Sequence, residues 1–249
     1  MGDSRHFSIA INNRSGGKKN YAIFTAAPNV TPSVDGMWTS IIAVLRGVAN
    51  GSGDAFFSVP KQVYAICGTR NSDMKAQFIN EVLDRRQVSL GIVSSNGKLE
   101  PGTALEVEVS DGSPTFTTGT QPPPSGDEHA FCVRTRPGFT LEIAKEGNYI
   151  LGVGGAPNKL EQKVSGSYAF FIPHPNVTYQ IKPSNVFYIA SVSGEVQARR
   201  ITTPDLISSA CVVDFDILQT DDIQVVHDAN GQLVVQTVSI FDTFARFRR

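Results

Sequence analysis

The chain is short of charge, cysteine, tryptophan and long apolar runs. Charged residues make up 18% of its 249 residues, and 22 Lys+Arg against 23 Asp+Glu leave a formal charge of −1. That balance excludes a strongly basic nucleic-acid binder and a polyacidic disordered tail. Three cysteines, Cys67, Cys132 and Cys211, are too few and odd in number for a disulfide scaffold. Each follows an apolar residue or alanine, which predicts buried thiols; only Cys132 has a histidine, His129, close in sequence. The longest apolar runs, such as Tyr64–Cys67 and Ala169–Pro173, are far too short for a membrane-spanning helix. No charged n-region and apolar h-region open the chain, and His6 breaks the myristoylation pattern after Gly2. The four Asn-x-Ser/Thr sequons (Asn13, Asn29, Asn50, Asn176) then read as a by-product of many turn residues. The expectation is a soluble, cytoplasmic protein without membrane or nucleic-acid partners.

The motifs of common cofactor chemistry are missing too. Gly152-Val153-Gly154-Gly155 is glycine-rich but lacks Gly-x-Gly-x-x-Gly spacing and a following helix, so it reads as a bent strand end. No Walker motif, Gly-x-Ser-x-Gly elbow or His-Glu-x-x-His occurs, and His6, His129, His174 and His227 have no zinc spacing. The sequence therefore calls for neither cofactor nor metal.

What the chain does have is alternation. Phe7–Ile11, Leu105–Val109 and Val213–Ile217 place apolar residues at every second position, the pattern of half-buried strands. Turn pairs recur between such stretches, among them Asn50-Gly51, Asn96-Gly97, Asp111-Gly112 and Asn230-Gly231. At most one short helix is expected: over Asp73–Arg86 Met74, Phe78 and Val82 share a face behind a capping Asp73, with a loop or short turn as the alternative.

Pro122-Pro123-Pro124 interrupts the strand grammar near mid-chain. Segments on its two sides match in the same order. Phe7–Ile11 resembles Phe139–Ile143, and Asn20-Tyr21 resembles Asn148-Tyr149. Trp38 corresponds to Tyr168. Phe57–Pro60 with Val63–Ile66 resembles Tyr179–Pro183 with Val186–Ile189. Gln87–Ile92 resembles Val212–Ile217, and Val107–Gly112 resembles Val225–Gly231. The reading is an all-β protein of two tandem antiparallel β-sandwiches arising by internal duplication: residues 1–120, a proline-rich linker over 121–129, and residues 130–249.

Candidate functional residues follow. His174, between Pro173 and Pro175, sits on a stiff turn suited to a functional imidazole. Asp214 and Asp216, two apart on an expected strand, would share a face and are candidates for acid and base roles. Trp38, Tyr168 and Phe170 are candidate binding aromatics. The tail Phe241–Arg249 interleaves Phe244 and Phe247 with Arg246, Arg248 and Arg249, as a docked strand edge or an anion contact. Two joined sandwiches make a cleft where they meet, a favoured place for a small organic ligand. If the protein is an enzyme, cofactor-free cyclisation or isomerisation of a bulky, largely apolar substrate is the expectation. The alternatives are a lectin-like, glycan-binding or defence module, and an interaction protein that oligomerises through sheet edges.

Overall fold

A computed structural model describes residues 6–51, 55–70, 80–155 and 167–236. Strands dominate these residues, in four larger sheets and one small hairpin. The first sheet runs β20 (Leu233–Gln236), β19 (Asp222–His227), β1 (His6–Asn13), β6 (Ala55–Pro60). The second runs β18 (Cys211–Asp214), β17 (Val186–Val192), β2 (Lys19–Thr25), β5 (Ala43–Val48). The third runs β12 (Ser113–Phe116), β11 (Ala104–Ser110), β13 (Phe131–Thr135), β16 (Thr178–Lys182), β3 (Asn29–Thr31). The fourth runs β4 (Trp38–Thr39), β15 (Ser167–Phe171), β14 (Tyr149–Gly154), β7 (Tyr64–Arg70), β8 (Asn80–Gln87). The hairpin pairs β9 (Ile92–Val93) with β10 (Leu99–Glu100). No helix among the described residues is long and apolar enough to cross a membrane.

Sheets one and two form one sandwich. Phe7 of β1 meets Phe187 of β17 edge-on, at 6.0 Å between centroids, and the Tyr21 hydroxyl of β2 lies 2.9 Å from His227 Nδ1 of β19. Sheets three and four form the other. Phe171 of β15 packs on Tyr179 of β16 at 4.9 Å, and the Asp84 carboxylate of β8 accepts from the Phe116 amide of β12 at 3.1 Å. Strict alternation of buried and half-buried residues along β1 places Ile9 and Ile11 in the core. One continuous apolar cluster draws on all four sheets, so the two sandwiches share a core.

The all-β class matches the sequence reading; the tandem division does not match the strand pairing. Each of the four larger sheets mixes strands from both sides of the proline-rich segment. β1 pairs in parallel with β19, β2 antiparallel with β17, β7 antiparallel with β14, and β11 in parallel with β13. The boundary at 121–129 therefore does not separate two sandwiches. Hydrogen bonds between strands distant in sequence are invisible to local periodicity, which reports only which face of a strand is apolar.

The supposed linker is also anchored. The Gly102 and Gly126 amides each donate to the other's carbonyl at 2.9 and 3.0 Å, and Gln180 holds the Ser125 carbonyl and the Asp127 amide. A Cβ on Gly102 would stand 2.2 Å from the Ala130 carbonyl oxygen, so only glycine allows this crossing.

The described residues hold three short helices where at most one was expected, each started by a side-chain cap. Thr140 caps α1 (Leu141–Glu146), Thr203 caps α2 (Pro204–Ser208) and Asp214 caps α3 (Phe215–Leu218). Phe139–Ile143 thus runs into a helix and is no counterpart of β1. The expected helix over Asp73–Arg86 is contradicted from residue 80, where β8 pairs with β7; residues 73–79 lie outside the described residues. The basic tail 241–249 lies outside them as well.

Candidate functional site

The connections that carry the chain from one sandwich to the other converge on a crevice at the junction. Residues 60–63 link β6 to β7, residues 183–185 link β16 to β17, and Ala26 and Pro28 follow β2 toward β3. Prolines stand in all three connections, where a strand must stop and the backbone turn away from its ladder. Phe7, Val59, Val63, Val153, Ala169, Phe187 and Pro28, Pro60 and Pro183 supply the apolar wall. Thr25, Lys61, Gln62, Tyr168, Ser184 and Asn185 supply polar groups. The space measures about 460 Å³ with its open mouth, but the enclosed part holds only about two water molecules.

Two polar groups of the wall, Lys61 and Asn185, are already paired. Lys61 Nζ lies 2.8 Å from the Asp221 carboxylate and 5.0 Å from the centre of the Phe7 ring. Asn185 Nδ2 donates to the Asp216 carboxylate at 2.9 Å. Phe215 of α3 stacks on Phe7 at 4.1 Å, so α3 buttresses the wall from behind. Tyr168 differs. Its hydroxyl is buried without a hydrogen-bond partner, a costly state for a polar group, and burial pushes its pKa well up, so it stays a neutral phenol.

Of the six residues singled out from the sequence, Tyr168 alone lines the crevice. Phe170 and Trp38 sit opposite each other across β15 and β4, stacked at 5.9 Å, with the Arg70 guanidinium 4.8 Å from the Trp38 ring. Phe170 is fully buried and Trp38 half-buried. Asp214 and Asp216 do not share a strand face. Strand β18 ends at Asp214, whose carboxylate caps α3 by accepting from the Asp216 and Ile217 amides at 3.0 and 3.1 Å. The alternation over Val213–Ile217 breaks there, leaving Ile217 77% exposed. Asp216 reaches the crevice only through Asn185. His174 is bound through its backbone, its amide donating to the Tyr179 hydroxyl at 2.9 Å and its carbonyl accepting from Thr135 Oγ1 at 2.7 Å.

Cys67 and Cys132 are buried as expected, while Cys211 is half-buried. The Cys67 thiol donates to the Pro114 carbonyl at 3.4 Å, and desolvation raises its pKa, opposite to the shift a nucleophile needs. Among the described residues no group of three or more His, Cys, Asp or Glu side chains gathers in a metal-ligating arrangement.

Sequence reasoning passed over Lys61, Val63 and Asn185. Their signal was present: a proline closes both Phe57–Pro60 and Tyr179–Pro183, marking the two places where strands leave one sandwich for the other. No protein-family model, curated protein or solved structure matches this chain.

Proposed function

We propose that the protein binds a compact, uncharged, largely apolar organic molecule in the junction crevice. The observation that carries the reading is a mostly apolar wall, contributed by both sandwiches, whose Lys61 and Asn185 are already paired with Asp221 and Asp216. An ionic ligand would have to break those pairs, whereas an apolar one gains by leaving water. The enclosed room limits the ligand to something much smaller than a bulky cyclase substrate. Binding rather than catalysis is the stronger form of the proposal, because neither His174 nor Asp214 lines the crevice.

A thermal-shift panel of small neutral ketones and alcohols of about three to five non-hydrogen atoms tests it. At a hundredfold excess over Kd a ligand adds about 2.7 kcal/mol, which raises Tm by about 5–10 °C in a chain of this length. Val63→Trp fills the crevice and removes that shift. No shift from any compound, or an equal shift in folded Val63→Trp protein, overturns the proposal.

A further inference from the structure

The pairings of the first half of the chain recur in the second with the halves exchanged. β1 lies between β19 in parallel and β6 antiparallel; β13 lies between β11 in parallel and β16 antiparallel. β2 lies between β17 and β5, both antiparallel, as β14 lies between β7 and β15. β18 flanks β17 as β8 flanks β7, and β20 flanks β19 as β12 flanks β11.

The register repeats as well. Phe7 faces Val59 and Ile9 faces Phe57, while Phe131 faces Ile181 and Val133 faces Tyr179. Ile9 neighbours Ile223 and Ile11 neighbours Val225, while Val133 neighbours Leu105 and Thr135 neighbours Val107. Independent convergence on this many matched neighbours, directions and registers would be a coincidence, whereas two copies of one unit give it directly. The crevice lies between equivalent parts of the two copies: by register, Lys61-Gln62-Val63 corresponds to Pro183-Ser184-Asn185, and Thr25 to Val153.

We infer that the chain is a fused pair of strand-exchanging halves, diverged copies of one unit, each of which is the other's binding partner, with the crevice formed only when both are assembled. Neither half holds a complete sandwich, because every larger sheet takes strands from both. A half alone would leave long strand edges unpaired, the surface that drives strand addition.

The assembly is tested by inserting a protease site between Pro123 and Pro124 in the full chain and cutting the folded protein. The cut protein is expected to keep the mass of the intact chain on native light scattering and to melt in one transition. On denaturing gels it should run as two fragments. Fragments that part in native buffer as two folded bodies overturn the inference. A second measurement needs no variant. Carbodiimide should couple Lys61 of the first half to Asp221 of the second, which form an ion pair at 2.8 Å. Mass spectrometry that finds the two peptides never joined overturns it equally. Both readouts concern assembly alone, so they stand or fall separately from the thermal-shift test of ligand binding.

Discussion

Gly152 is a position where strand packing tolerates little change. It lies within β14, between β15 and β7, and a Cβ built there would sit 2.0 Å from the Ala169 carbonyl oxygen and 2.7 Å from the Phe170 Cα. Both are backbone atoms of β15, so no side chain can swing aside. To reach even a 3.0 Å contact the strands must move apart by about 1 Å, stretching ladder bonds from about 2.9 Å to well beyond the useful range. Losing about two such bonds costs about 1 kcal/mol each, and overpacking adds about 1–3 kcal/mol. Alanine returns about 0.4–1 kcal/mol by stiffening the unfolded chain. Gly152→Ala should therefore destabilise by about 3 kcal/mol, or about 6–12 °C in Tm. Gly17 has nothing within 4 Å of its built Cβ, and Gly17→Ala should stay within about 0.5 kcal/mol of the parent. Urea denaturation of both variants is the assay. A Gly152→Ala protein within about 0.5 kcal/mol of the parent, the range of solvent-facing changes, would refute the close approach of β14 and β15.

Two further perturbations probe particular groups. His227 is buried, and desolvation together with Lys19 lowers its pKa from the ordinary 6.5, against smaller opposing effects of the Gly231 backbone and Asp228. The folded state then binds fewer protons than the unfolded one, so stability falls as pH drops below 6.5. In His227→Gln that part of the acid limb should flatten, read as denaturation midpoints between pH 5 and 7; an unchanged slope would contradict it. Asp214→Ala removes the cap of α3 and should cost about 1 kcal/mol while leaving any ligand-induced thermal shift in place; abolition of that shift with the fold intact would give Asp214 a role beyond capping.

Much of the architecture was legible in local pattern. The alternation Phe7–Ile11 gave β1, and that of Leu105–Val109 gave most of β11. The matches of Asn20-Tyr21 with Asn148-Tyr149, of Phe57 with Tyr179 and of Val107 with Val225 agree with the repeated registers. Other matches failed for physical reasons. Thr140 and Asp214 each offer a side-chain oxygen to helix amides, and that local bond overrode alternation at Phe139–Ile143 and Val213–Ile217. Trp38 does not correspond to Tyr168; it pairs across from Phe170, because β5 occupies the place beside β2 that β15 occupies beside β14. Within the expected helix, Val82 lies instead in β8, opposite Gly68 of β7. Which half pairs with which could not be read, since alternation is the same whether a strand's neighbour lies in its own half or the other. The crevice shared that fate: its walls come from residues far apart in sequence, and only the recurrent prolines hinted at it.

The central claim is that each sandwich takes strands from both halves of the chain and that the two sandwiches share one apolar core, so neither outlives the other. Trp38, the single tryptophan, lies in the sandwich built from the third and fourth sheets, so its fluorescence follows that body while far-ultraviolet circular dichroism follows all strands. Urea unfolding monitored by both signals should give one coincident transition. Two separated transitions, with half of the strand signal surviving after the Trp38 signal is lost, would contradict the account.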